Sequence, residues 1–191
     1  MSHENITIEY ENGCKYFWQI KNNKREGKGI MSSPTWDIYE GDFKNDLPNG
    51  KGIFSYSNGN KFDGDFLNGK PNGNGILYIK KGNKYQIYKG DVKNGIPEGK
   101  GYLEYTNGDK YEGDFKNGNP NGQGIFYKIH GEKYEGGIKN GKPNGKGKMY
   151  YTNGNRYEGN FDNGEPNGTG KIYYFNGNIY EGEIYNRLVK R

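Results

Sequence analysis

Two histidines, one cysteine and a series of closely spaced carboxylates are the side chains of this sequence whose types could do chemistry. His3 and His130 are the only imidazoles, and so the only groups suited by ordinary pKa to act as a base near neutral pH. His130 stands at an offset filled elsewhere by Asn107, Asn153 and Asn176, which reads as a surface turn position. Cys14 has no recognisable activating partner and stands where other units carry aspartate, asparagine or glutamate, which reads as a bystander. The carboxylates come in pairs two residues apart, Glu40 with Asp42, Asp63 with Asp65 and Glu112 with Asp114, beside Lys44, Lys61, Lys110 and Lys116. Because they recur in register among lysines, cross-strand ion pairing on a wet face explains them better than acid–base catalysis. The Gly-x-Gly pairs at Gly50/Gly52, Gly73/Gly75 and Gly145/Gly147 open no helix and lack the Gly-Lys-Ser/Thr ending of a phosphate loop. Neither an EF-hand loop nor a Cys/His ligand set is present. No catalytic residue, cofactor or metal is therefore expected, and the chain reads as a non-enzyme.

The elements that carry these residues are copies of one unit. Each opens with an aromatic, a charged residue and a glycine: Tyr39-Glu40-Gly41, Phe62-Asp63-Gly64, Tyr88-Lys89-Gly90, Tyr111-Glu112-Gly113, Tyr134-Glu135-Gly136, Tyr157-Glu158-Gly159 and Tyr180-Glu181-Gly182. The spacing is 23 residues throughout, except 26 between Phe62 and Tyr88. Such a fixed period marks a repeat array. The three extra residues fall around Lys84-Tyr85-Gln86-Ile87, after the glycine turn at Gly82, and predict a lengthened loop. The organisation expected is a degenerate N-terminal cap over residues 1–38, six repeats over 39–179, and a half-repeat with a basic tail over 180–191. In the first unit Trp18 and Trp36 replace glycines of the later ones, as terminal units of a capped array do.

Composition taken alone points the other way. A mean hydropathy of −1.20 with 34 glycines and 30% hydrophobic residues resembles a disordered chain. Against that, aromatic residues reach 16% and fall at fixed offsets. Alanine is absent and glycine frequent, so long helices are not expected. No apolar run is long enough for a spanning helix, no apolar stretch near Met1 resembles a signal peptide, and a single cysteine allows no internal disulfide, so a cytoplasmic setting is expected.

Within a unit the pattern alternates with period two. Tyr111, Gly113 and Phe115 share one side of a strand, and Gly122, Gly124 and Phe126 share one side of the next. Pro120-Asn121-Gly122 has turn chemistry and is predicted to reverse the chain between them, with a second turn at Asn107-Gly108 leading into the next unit. Each unit is then a β-hairpin, and hairpins pair edge to edge. The core expected is the column Tyr39, Phe62, Tyr88, Tyr111, Tyr134, Tyr157 and Tyr180 together with Phe43, Phe66, Val92, Phe115, Ile138, Phe161 and Ile184. Rings lie across glycine backbone, and about fourteen strands make a ribbon roughly 65 Å long.

The unit YEGDFKNGxPNGxGxxxYxNGxxY closely resembles the MORN repeat (membrane occupation and recognition nexus) over about residues 8 to 186. That resemblance implies an all-β fold, an elongated single-layer twisted antiparallel sheet of tandem hairpins. MORN arrays are found as scaffolds, as membrane-associated or cytoskeleton-associated modules, and beside catalytic domains, for which no room is expected here.

A net charge of +5 with lysines interleaved among acids argues against a nucleic-acid partner. The function expected is a scaffold that binds protein partners through its grooved aromatic face, at Tyr105, Tyr127, Tyr151 and Tyr174, and through its C-terminal strand edge, at membrane or cytoskeletal structures. A homodimer is expected through an unpaired last strand bearing Ile184, Tyr185, Leu188 and Val189. The alternatives are a peripheral module binding acidic phospholipids, which the family's record and the basic tail at 187–191 favour, and the regulatory subunit of a separate enzyme.

Overall fold

A tyrosine two residues before a glycine on an extended strand can lay its ring over backbone that carries no side chain, and this geometry recurs in hairpin after hairpin. A methyl group built on Gly52 would lie 2.5 Å from the Tyr39 hydroxyl and 2.6 Å from two carbons of its ring, so the close approach requires glycine. The phenol then reaches one residue past its own glycine. Tyr39 donates to the carbonyl of Asp42 (2.8 Å), Tyr88 to Asp91 (2.6 Å), Tyr111 to Asp114 (2.9 Å) and Tyr157 to Asn160 (2.9 Å).

The computed structural model describes residues 6–185 and 188–189, in two units, Met1–Ile96 and Pro97–Arg191. All regular structure among them is β, and every described strand pair is antiparallel. The first unit holds β1 (Ile6–Glu9), β2 (Lys15–Lys21), β3 (Lys24–Ser32), β4 (Ile38–Lys44), β5 (Leu47–Ser55), β6 (Lys61–Leu67), β7 (Lys70–Lys81) and β8 (Lys84–Lys93). The second holds β9 (Ile96–Glu104, whose first residue closes the first unit), β10 (Lys110–Lys116), β11 (Asn119–Tyr127), β12 (Lys133–Lys139), β13 (Lys142–Tyr150), β14 (Arg156–Asp162), β15 (Glu165–Tyr173), β16 (Ile179–Tyr185) and β17 (Leu188–Val189). Within each unit successive strands pair in sequence order, so each repeat is a hairpin joined edge to edge with the next. Seventeen strands lie among the described residues rather than about fourteen, because the worn first units also form hairpins.

The reversal inside each hairpin is not at Pro-Asn-Gly. The chain turns at Asn117-Gly118, with φ of 51° and 82°, between β10 and β11. Both residues with positive φ make the two-residue hairpin turn whose twist matches the strands, and Asn-Gly is its preferred pair. Pro120 instead lies inside β11 opposite Phe115, and between that pair and Gly113 opposite Gly124 the residues Asn121, Gly122 and Gln123 bulge against the single Asp114. Gly122 takes a φ of 126°, so its positive φ bends a strand instead of closing a turn. The proline carbonyl is not wasted: Pro97 and Pro120 accept the N–H groups of Gly118 and Gly141 at 2.9 Å, tying one turn to the previous hairpin.

The three extra residues also act differently from expectation. They extend the ladder of β7 and β8 through Ile79–Gln86, Lys80–Tyr85 and Lys81–Lys84, leaving Gly82-Asn83 as a tight turn. Lengthened strands satisfy backbone groups that a longer loop would leave to water.

The aromatic core is the expected one. Thirteen of the fourteen named positions are buried, and only Tyr180, in the last hairpin, is half-exposed. Tyr16, Leu103 and Phe126 join them. Rings meet edge to face, as Tyr39 and Phe66 do at 4.8 Å and Tyr134 and Phe161 at 4.8 Å. Each ring buried contributes on the order of 2 kcal/mol, with up to about 1 more from such pairing.

Candidate partner-binding surfaces

The acids that looked like catalytic pairs are occupied by the bulge. Asp42, Asp65 and Asp114 each accept the N–H of a residue beside it, Lys51 (2.9 Å), Asn74 (3.1 Å) and Gln123 (2.7 Å). Each also pairs with a lysine of the preceding strand: Lys28 at 2.8 Å, Lys51 at 2.6 Å and Lys100 at 2.6 Å. The lysine ammonium groups hold the Asp65 and Asp114 carboxyls below the usual carboxylate range, with the backbone N–H groups helping.

A second column of acids and amides joins the long turns. Asp37, Asn60, Asp109 and Asn155 accept the N–H groups of Ser57, Lys80, Ile129 and Phe175 at 2.8–3.0 Å, each in the following turn except Lys80, which lies in the extended end of β7. Asp109 is buried. Burial alone would raise its pKa, but Lys128 at 2.8 Å, the Ile129 N–H and Asn107 outweigh it and hold the carboxyl low. His130 lies exposed in one of these turns, Cys14 is half-buried in another, and His3 lies outside the described residues. Among the described residues no three His, Cys, Asp or Glu side chains cluster to hold a metal. Among the described residues no helix is long and apolar enough to cross a membrane.

The structure divides the four predicted contact tyrosines. Tyr105, Tyr151 and Tyr174 open the long turns, each N–H donating to the carbonyl four residues on at 2.9 Å, and their half-buried rings stand at the margin of the aromatic face. Burial pushes the Tyr105 phenol up. Tyr127 is the last residue of β11 and faces the opposite way, because a shift of one residue along a strand reverses the side chain. Its equivalents are Tyr150 and Tyr173. With Lys133 and Arg156 they form one row across β11 to β15, in which Lys133 lies 5.2 Å from the Tyr150 ring and Arg156 4.2 Å from that of Tyr173.

Tyr151 and Tyr174 flank a recess of about 230 Å³ on the aromatic face, floored by Tyr157, Pro166, Ile172 and Ile184. Ile184, expected both in the core column and at a self-associating edge, is 2% exposed and part of that floor, as the core expectation has it. The end of β16 is not unpaired, since Ile184 and Tyr185 stand opposite Val189 and Leu188 of β17. The side chains of Tyr185, Leu188 and Val189, and the rest of the basic tail, lie outside the described residues. Pro166 and Ile172 were not picked out from the sequence, although Ile172 shares the period-two offset of Leu103 and Phe126.

The opposite face carries charged grooves along the glycine rows. The one in the second unit, about 760 Å³, has Glu135, Lys148, Glu158, Lys171 and Glu181 along one wall. Four of these charges are matched in pairs, Lys148 with Glu158 at 3.2 Å and Lys171 with Glu181 at 2.9 Å. The short-turn edge of the first unit is basic and aliphatic: Lys44, Lys70 and Lys93 are exposed, and Leu47, Leu67 and Ile96 are 45–50% exposed beside them.

The profile of the MORN repeat matches residues 19–38, 39–61, 62–84, 88–110, 111–129, 134–156 and 157–179. The chain belongs to the MORN-repeat family. The gap in the MORN match at 85–87 coincides with the strand extension of β7 and β8. Among solved structures this MORN array is similar to the SAS-4 (dCPAP) TCP domain of Drosophila melanogaster, in complex with a proline rich motif of Ana2 (dSTIL), at 12% identity and a TM-score of 0.51, covering 94% of this chain and 90% of that one. It is also similar to the TCP10 domain of Danio rerio CPAP, at 12% identity and a TM-score of 0.46, covering 93% and 94%. No curated protein matches the sequence.

Proposed function

We propose that this MORN array is a non-enzymatic scaffold that holds an extended, proline-containing segment of a partner protein against the aromatic face of its second unit. The observation that carries the reading is the recess between Tyr151 and Tyr174, with its floor of aromatic, proline and isoleucine side chains. Aromatic-lined recesses suit proline-rich segments, which are already extended and lose little entropy on docking. That the SAS-4 TCP domain is recorded with a proline rich motif supports the choice of probe. The test is calorimetric titration with a synthetic proline–leucine repeat peptide. Tyr151→Ala and Tyr174→Ala are expected to weaken binding about tenfold or more, and Tyr127→Ala, on the other face, to leave it unchanged. Equal affinity across all four proteins would overturn the reading.

A second reading, a peripheral module on acidic phospholipid, is favoured by the basic and aliphatic short-turn edge of the first unit. In flotation with phosphatidylserine vesicles at physiological salt, the Leu47→Ser/Leu67→Ser double variant is expected to stay in the pellet while the parent floats. Self-association has its own handle: among the described residues Ile179–Glu183 of β16 have no strand on their outer edge. Two copies pairing there would dissociate on dilution in sedimentation velocity, whereas a monomer at high concentration would rule the pairing out.

A further inference from the structure

Trp18 breaks the rule on which every hairpin is built. It stands where Gly41, Gly113 and Gly136 stand in later units, and it takes a φ of 133°, in a region of backbone space that L side chains rarely adopt. Strain of this kind persists where the surroundings over-determine it, and it gathers at ligand sites. The ring does not enter the aromatic core. It lies with Phe17 on the opposite face, ring centroids 5.5 Å apart and nearly perpendicular, at the end of a recess of about 410 Å³. Ile30 and Ile53 line the same recess, and Phe17, itself 41% exposed, is in register with Ile30, Glu40, Ile53 and Asp63 across β2 to β6.

The charges around it are unevenly satisfied. Lys28 and Lys51 are neutralised by Asp42 and Asp65 at 2.8 and 2.6 Å. Among the described residues Asp63 has only Lys61 at 4.0 Å, and the exposed Glu40 has no ion-pair partner. What the recess offers is therefore an indole face, two isoleucines and two carboxylates with charge to spare. Arginine matches all of it, since a guanidinium stacks on tryptophan and forks onto carboxylates while its methylenes cover aliphatic surface.

We propose that this recess binds an extended partner segment in which arginine alternates with aliphatic residues, with Trp18 as the stacking platform and Glu40 and Asp63 as the anionic partners. The site extends the protein-binding reading to a second surface, in the other unit, and rests on that reading only in kind. The test uses the full chain carrying Trp36→Phe, so that Trp18 is the sole tryptophan, titrated with an acetylated leucine–arginine repeat peptide while its emission is followed. Saturable change in emission is expected, lost about tenfold or more in affinity in Glu40→Gln/Asp63→Asn and absent with a leucine–glutamate peptide. Trp18→Gly, which restores the residue of the other repeats, is expected to fold with an unchanged far-ultraviolet spectrum and to lose peptide binding by calorimetry. No response to the arginine peptide up to about 1 mM, or affinity kept in the double carboxylate variant, would overturn the proposal. The Tyr151→Ala and Tyr174→Ala variants should bind this probe as the parent does, so either site can fail without the other.

Discussion

At the scale of the residue, the bulge explains why the repeat spells tyrosine, glycine and aspartate in that order. The phenol serves a carbonyl, the glycine admits the ring, and the carboxylate serves an N–H that the bulged ladder leaves over. Tyr111→Phe keeps the ring and loses its bond to the Asp114 carbonyl together with a longer one, 3.4 Å, to that of Gln123, so urea denaturation is expected to show a loss of about 1 kcal/mol. Phe62 is the one ring of the column without a hydroxyl, and Phe62→Tyr is expected to gain up to about that amount. Asp114 contributes through an exposed ion pair with Lys100, so Asp114→Asn should cost under about 1 kcal/mol at neutral pH. The folded carboxyl is held below its unfolded value, so its contribution is complete above about pH 4 and fades as the pH falls through the lower, folded value. Melting curves of parent and variant are therefore expected to converge in acid, and a gap that persists at pH 2 would show that the charge is not the cause.

At the scale of the element, the hairpin tolerates added length at its long turn but not at the bulge. Residues 79–83, Ile-Lys-Lys-Gly-Asn, already have the length of the long turn at 128–132. Deleting Lys84-Tyr85-Gln86 should therefore shorten β7 and β8 to the ordinary ladder and leave Tyr78 opposite Ile87, as Tyr127 is opposite Lys133. The deleted protein is expected to keep its strand spectrum and to melt within a few degrees of the parent. Collapse of the fold would mean that the extension supports the neighbouring hairpins. The Asn-Gly turns leave less freedom, because Asn117 holds a φ of 51° that a β-branched residue resists.

At the scale of the whole molecule, each unit keeps a row of phenols away from water. Burial raises the pKa of Tyr16, Tyr39, Tyr111, Tyr134 and Tyr157, Tyr134 up to about 12. The folded state thus holds its phenolic protons more tightly than the unfolded state does. The stabilisation is whole below about pH 10 and is lost as the pH climbs toward the folded values. Tyrosinate absorbance is expected to rise in two stages, exposed phenols first and the buried column together with unfolding. A single transition near pH 10 would mean that the rings are open to solvent. Other changes of pH near neutrality are expected to do little, since Asp65, Asp109 and Asp114 titrate well below it.

The sequence by itself determined the architecture, because the 23-residue period and the two-residue alternation place each aromatic ring on one face without reference to anything distant. Column residues such as Tyr39 and Phe161 were legible for that reason, and so were the paired charges of Asp42 and Asp114. What it did not determine was how the backbone accommodates the glycines. Asn117-Gly118 and Asn121-Gly122 are both Asn-Gly pairs, and which one reverses the chain depends on the pairing of Phe115 with Pro120 across two strands. Tyr127 was grouped with rings of the other face, and the strand bearing Ile184, correctly placed in the core, was expected to end unpaired, since a face or an edge is a property of register and of neighbouring strands. Local chemistry chose the repeat and its core; the recess between Tyr151 and Tyr174, and the one beneath Trp18, exist only because side chains from different hairpins are brought together in register.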